Sequence, residues 1–148
     1  MSGIVNFNYL ELTSILKAND TTYSLNALHD YHHEAAYLLL FVRQGQLLVD
    51  AKPRINLNPG ELVILNCQEA LTVAASAPET QALTVIFQAT GAQLEALLGH
   101  VSLLADMHLT DAIGTTLATI IDLRQRKPNQ AYDQIIGSAF MIACSQLY

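Results

Sequence analysis

Residues 37–66, YLLLFVRQGQLLVDAKPRINLNPGELVILN, decide the reading of this chain. The stretch alternates strand-forming runs with corners at Gly45, Lys52-Pro53 and Asn58-Pro59-Gly60. Gly45 can take positive φ in a tight reversal, and Pro59 presets φ for a turn that Gly60 completes without a steric cost. Tyr37 to Val42 is apolar at every position, so both faces of that strand are expected to be covered. Gln46 to Asp50 is expected to return as its partner, Arg54 to Leu57 to be short, and Leu62 to Leu65 to be central again. Closely spaced antiparallel strands of this kind indicate a sandwich or a small barrel.

Working outward, Glu69 to Ser76 alternates through Leu71, Val73 and Ala75, and Ala77-Pro78-Glu79-Thr80 turns the chain into Gln81 to Gln88. That strand sets Leu83, Val85 and Phe87 on one face and Ala82, Thr84 and Ile86 on the other. Upstream, Phe7 to Leu16 reads as one short strand or an irregular arm, Asn19-Asp20 as a turn, and Tyr23 to Leu28 as a half-exposed strand. After Thr90-Gly91 the apolar period lengthens to that of helices. Leu94, Leu97 and Leu98 suggest a short helix stopping near Gly99, and Val101 to His108 fits strand or loop. A helix is expected from an N-cap at Thr110 or Asp111, with Ile113, Leu117, Ile120 and Ile121 on one stripe, until Lys127-Pro128-Asn129. A last helix follows, its stripe running Tyr132, Ile135, Ile136, Ala139, Phe140, Ala143 and Leu147. Met141, Ile142 and Cys144 widen that stripe, so this helix is expected to bury two faces.

The totals narrow the function classes. A chain of 148 residues is one domain by length and can bury about 70% of its unfolded surface without staples. It is 51% hydrophobic and only 14% charged, a balance that points to apolar surface covered by a second copy. Net charge is −6, and the short Arg124-Gln125-Arg126-Lys127 cluster suits a helix C-terminus better than a phosphate-binding face. No apolar run reaches membrane-spanning length, and the first residues lack a basic start and apolar block, so a cytoplasmic location is expected. Cys67 and Cys144 have no metal-type spacing and read as reduced thiols.

Chemistry-bearing residues are few. His29, His32, His33 and Glu34 form the candidate ligand cluster, since imidazole and carboxylate together suit several transition metals. Adjacent His32 and His33, however, point to opposite faces of a strand, so rim or pocket residues are the expected role and no metal is expected. No nucleophile elbow and no glycine-rich phosphate loop occur, and Glu61, Glu69 and Glu79 read as solvated turn charge. No catalytic residue and no cofactor are therefore expected.

His32 through Val42, then Arg43-Gln44-Gly45, then Leu57-Asn58-Pro59-Gly60-Glu61-Leu62-Val63-Ile64-Leu65, resemble the cupin core of the N-terminal sensor domain of AraC-type transcription regulators. The likeness covers about a third of the chain, and the two late helices fall where that family places its dimerisation helices. Metal-dependent cupins carry two histidines two residues apart, then a glutamate, then a late histidine. Measured from Gly45 these positions hold His32, Glu34, Leu38 and a residue near Leu71, so the resemblance is to the effector-binding branch. It implies a mainly β fold, a cupin-type double-stranded β-helix or jelly-roll barrel over residues 1–90, followed by an antiparallel helical pair within residues 91–148. It further implies a small-molecule effector in the barrel, with Tyr23, His29, Tyr31, His33, Tyr37 and Arg54 as candidate ligand-binding residues. A homodimer through Leu117, Ile121, Ile136, Phe140 and Ile142 is expected, with DNA bound only by a further C-terminal domain beyond Tyr148. The alternatives are a small metal-dependent cupin enzyme, such as an isomerase or dioxygenase, and a stand-alone cupin binding protein.

Overall fold

The structure is a computed structural model that describes residues 5–7, 10–51, 54–91, 98, 102–103 and 107–145, with side chains at 11–51, 54–91, 98 and 114–137. Its strands are β1 (Val5–Phe7), β2 (Leu10–Tyr23), β3 (Leu28–Tyr31), β4 (Tyr37–Gln44), β5 (Leu47–Asp50), β6 (Ile55–Leu57), β7 (Glu61–Asn66), β8 (Leu71–Ala75), β9 (Thr80–Thr90) and β10 (Ser102–Leu103). Two helices follow, α1 (Met107–Arg126) and α2 (Gln130–Ser145).

The strands form a six-stranded antiparallel sheet, β1-β2-β9-β4-β7-β10, and a four-stranded one, β3-β8-β5-β6. From β2 to β9 the chain changes sheet at every connection except the β5–β6 hairpin. That alternation closes the two sheets over a common interior. Gly45 is one of the crossing points, with φ of 82°. The expected pairing of Gln46–Asp50 with Tyr37–Val42 is therefore not found: β4 pairs β7 and β9, while β5 pairs β6 and β8. A strand apolar on both faces buries more between barrel and helices than in a two-stranded hairpin, and the corner at Gly45 carries the chain across instead.

Burial sorts β4, β7 and β9 into alternating rows. Leu38, Leu40, Val42, Val63, Leu65 and Ala82 face the barrel interior, where they meet Leu47, Val49, Leu57, Leu71 and Val73 of the smaller sheet. Leu39, Phe41, Leu62, Ile64, Leu83, Val85 and Phe87 face the other way and pack with Leu117, Ile121 and Ile136 of the helices. At about 25 cal/mol per Å² of apolar area, fully burying each of these side chains larger than alanine contributes on the order of 1.5–3 kcal/mol. The helical pair is thus an extension of the sheet's second core.

Three local expectations change. Asn19 and Asp20 lie inside β2, paired with Thr84 and Leu83, because contacts with β9 and the Asp20–Arg43 ion pair at 3.0 Å outweigh the local turn preference. The strand expected over Tyr23–Leu28 is broken: the chain crosses between sheets there, with Asn26 at φ 64°, and resumes as β3. The first long helix begins at Met107, ahead of the expected caps Thr110 and Asp111, whereas Lys127-Pro128-Asn129 separates the two helices as read. Asn129 Oδ1 accepts the Ala131 N–H at 2.8 Å and caps α2. The short helix expected around Leu94 and Leu97 lies outside the described residues.

α1 is fastened to β2 at its basic end. Arg124 is ion-paired with Asp133 of α2, and its Nη2 donates to the Ile15 carbonyl at 3.0 Å. Gln125 Nε2 donates to the Ala18 carbonyl at 3.1 Å. These bonds fall beside a register irregularity between Ile15 and Lys17, where β2 leaves regular pairing with β9.

Candidate functional site

Alternation along three strands brings one polar group into an otherwise aliphatic interior. Tyr23 ends β2 fully buried, Thr84 lies on the inner face of β9, and His29 and Tyr31 occupy the inner positions of β3. The Tyr23 hydroxyl stands 2.7 Å from that of Tyr31 and 3.2 Å from Thr84 Oγ1, and no buried side-chain polar atom among the described residues lacks a partner. The Tyr23 ring meets the His29 imidazole edge to face, with centroids 4.5 Å apart. Burial drives the Tyr23 phenol pKa far above its ordinary range, and neighbouring Tyr31 pushes in the same direction. The Tyr23 hydroxyl therefore stays protonated, able to donate and accept hydrogen bonds.

Residues 32–36 pass over the end of the barrel nearest Tyr31. The His33 N–H donates to the Cys67 carbonyl at 2.8 Å, and Gln88 Nε2 donates to the Ala35 carbonyl at 3.4 Å. His33 Nδ1 accepts the Ala35 N–H at 3.2 Å, which fixes the bend locally. His32, His33, Glu34 and Ala35 line an open depression of about 450 Å³ on this end. Beneath it the Cys67 thiol is buried, donates to the Ala36 carbonyl at 3.3 Å, and has its pKa raised by that burial.

Of the six residues the sequence suggested for a ligand, Tyr23, His29 and Tyr31 come together inside the barrel and His33 lies on the loop over its end. Tyr37 is on the opposite face of the large sheet, against Phe87 at 5.9 Å between ring centroids and within the helix-side core. Arg54 is exposed beside the β5–β6 corner and pairs with Asp50 at 3.6 Å. Both fall away from the interior because the register of β4 and the hairpin turn outward there. Thr84 was missed. Its signal was a lone hydroxyl on the Ala82–Ile86 face of an apolar strand.

Of the dimer candidates, Leu117, Ile121 and Ile136 are buried in the chain's own core and offer no surface to a partner. The side chains of Phe140 and Ile142 lie outside the described residues, as does that of Cys144. Among the described residues, no three His, Cys, Asp or Glu side chains are grouped so as to hold a metal ion. No described helix is long and apolar enough to cross a membrane.

Two antiparallel sheets exchanging strands around one interior, with a helical pair on the outer face of the larger sheet, define a cupin-type jelly-roll barrel with C-terminal helices. No protein-family model matches the sequence, and no curated protein matches it. Solved structures similar in fold include KdgF from Halomonas sp., 14% identical, covering 58% of this chain and 94% of that one at a TM-score of 0.42. The Cupin_2 domain of an XRE family transcriptional regulator from Enterobacter cloacae is 15% identical, covering 55% of this chain and 97% of that one at 0.41. Unsaturated fatty acid bound ToxT from Vibrio cholerae is 12% identical over 88% of this chain at 0.46, and this chain spans 54% of its length.

Proposed function

We propose that this chain is the effector-binding and dimerisation part of a bacterial, cytoplasmic AraC-type transcription regulator, with a small molecule held in the barrel and DNA bound through a further domain. The observation that carries this reading is the division of β4, β7 and β9 between two cores. Each strand has one face in the barrel and the other under the helices. A ligand that repacks the interior therefore acts on the same backbone that positions α1 and α2, the differential contact that a switch between two arrangements requires. The cupin-core resemblance of residues 32–65 supplies the regulator class. In this reading the barrel binds its ligand and does not transform it.

The test is a small-molecule screen by thermal shift, with hits mapped by NMR onto β3, β8 and β9, combined with sedimentation. Hits whose resonance changes centre on Thr84 and Tyr31, and a dimer at tens of micromolar, are expected. Since Leu117, Ile121 and Ile136 are internal, a helix-mediated dimer would use the opposite side, where Leu123 and Ile135 are exposed. Leu123→Arg with Ile135→Arg is then expected to give a folded monomer. Stoichiometric metal on protein purified without chelator, lost in His32→Ala, would instead establish the metal-enzyme alternative.

A further inference from the structure

β2 carries two extra residues within a short span. Leu12 pairs with Ala89 and Lys17 with Ile86, so residues 13–16 of β2 face only Phe87 and Gln88 of β9. Ser14 takes Gln88 and Ile15 takes Phe87, which leaves Thr13 and Leu16 as the bulged residues. The first bulge is closed locally, since the Thr13 hydroxyl donates to the Gln88 carbonyl at 3.0 Å. The second is held from outside: Arg124 of α1 donates to the Ile15 carbonyl at 3.0 Å while ion-paired with Asp133 of α2.

Four residues facing two can be threaded in more than one way. With the ends at Leu12 and Lys17 fixed, a shift of one residue, about 3.3 Å, sets Leu16 against Phe87 and Ile15 against Gln88. Apolar burial hardly separates the two threadings. Ile15 is 6% exposed and Leu16 is 40% exposed, and exchanging these isomeric side chains keeps the volume of the core.

The same span reaches the loop over the barrel's end. Gln88, opposite Ser14, donates its side-chain amide to the Ala35 carbonyl at 3.4 Å, beside the depression lined by His32, His33 and Glu34. Side chains directly opposite on antiparallel strands share a face. The shifted threading therefore sets the bulkier Ile15 beside the Gln88 side chain, where Ser14 now lies.

We infer that residues 13–16 of β2 form a two-position element that couples the helical pair to the 32–36 loop. Docked helices hold it, through Arg124, with Ile15 in the core and Gln88 bonded to Ala35. Loosening α1 from α2 or from β2 releases the Ile15 carbonyl; Leu16 then replaces Ile15 against Phe87, and Ile15 crowds Gln88 away from the loop. The coupling is reciprocal, because the helices and the loop bias one equilibrium between two discrete positions. This goes beyond the regulator reading: the element works on the chain's own contacts, with or without an effector in the barrel.

The experiment is methyl and amide NMR on the ligand-free full chain, comparing wild type, Arg124→Met, and Arg124→Met combined with Leu16→Thr. In wild type, nuclear Overhauser contacts to the Phe87 ring are expected from the Ile15 methyls and not from those of Leu16. Arg124→Met is expected to raise the ratio of the second position to the first about ten- to a hundredfold, the weight of one hydrogen bond from a charged donor. Leu16 contacts to Phe87 then appear, and the Gln88 side-chain amide and the loop amides shift with them. Leu16→Thr is expected to restore the wild-type pattern, since a hydroxyl disfavours the core position. Ile15 remaining alone against Phe87 in a folded Arg124→Met overturns the two positions and leaves Arg124 a fastener. Leu16 contacts without any change at Gln88 and Ala35 overturn the coupling to the loop. Ile15→Ala, which keeps Arg124, decides the point should Arg124→Met not fold: Leu16 is expected against Phe87, and a Leu16 that stays in solvent overturns the element.

Discussion

Replacing Gly45 by alanine tests the corner at which the chain leaves the large sheet. Gly45 sits at φ 82°, where an L side chain costs about 1–2 kcal/mol. A Cβ there would lie 2.2 Å from Thr80 Oγ1, 2.6 Å from Thr80 Cα and 2.7 Å from Thr80 Cβ. Two of those three atoms are fixed to the β9 backbone, so rotating the Thr80 side chain cannot relieve the overlap, and overpacking of this kind adds about 1–3 kcal/mol. Thr80 is itself buried, and its hydroxyl donates to the Ala77 carbonyl at 2.8 Å and accepts the Gln46 N–H at 3.2 Å. Displacing it loses about 1 kcal/mol more. The total, roughly 3–6 kcal/mol, is a large part of the 5–15 kcal/mol typical of a whole domain. In urea titration followed by circular dichroism, the midpoint should fall by about 1–3 M with little change in slope. Gly45→Asn separates the two causes, because asparagine tolerates positive φ. The contact with Thr80 predicts that Asn is about as damaging as Ala. A Gly45→Asn variant near wild-type stability, or an alanine variant losing less than about 1 kcal/mol, would refute the reasoning.

Three further outcomes are expected. At Gly114 an added Cβ meets Phe41 Cε2 at 3.3 Å, so Gly114→Ala should be within about 1 kcal/mol of neutral as helix propensity offsets crowding, while Gly114→Leu costs more than about 2 kcal/mol by thermal unfolding. Because the folded Tyr23 pKa is raised, the unfolded chain loses this proton first as pH rises, so the wild type should lose stability from about pH 10 upward. Denaturation across pH 8–11 should show a shallower alkaline decline in Tyr23→Phe; Cys67, also raised by burial, adds the same sign of slope in both proteins. Arg124→Met removes its bonds to Asp133 and Ile15 together and should cost about 1–3 kcal/mol, with a coupling to Asp133→Asn visible in a double-mutant cycle.

Local chemistry made the strands and corners of residues 37–66 legible. Gly45 and Gly60 both adopt positive φ, and β4 and β7 have both faces covered, because these features depend on the residue itself and on unbroken apolar runs. Pairing was not legible in the same way. Nothing within Gln46–Asp50 records that its hydrogen-bonding partner is Thr72–Ala75 rather than the strand just before it. The 14 residues of β2 were hidden for a related reason: Asn19 and Asp20 favour turns alone and are held extended by β9, Gln125 and Arg43. At the site, the tyrosines and His29 stood out by composition. Thr84 became informative only once its face of β9 was known to be the inner one. On the helices, periodicity marks the buried side without saying what buries it: Leu117, Ile121 and Ile136 are covered by the chain's own sheet.

The double coverage of β4 bears on how the chain finds its alignment. In a strand with one wet face, sliding by one residue exposes the apolar row and is heavily penalised. Sliding β4 would merely exchange Leu38, Leu40 and Val42 with Leu39 and Phe41, so hydrophobicity hardly distinguishes the two alignments. What can distinguish them sits at the strand's end: the irregularity between Val42 and Gln44, the Arg43–Asp20 pair, and a Gly45 so close to Thr80 that any side chain there would overlap it. The corner thereby serves as the index mark from which inside and outside are counted along the whole central sheet.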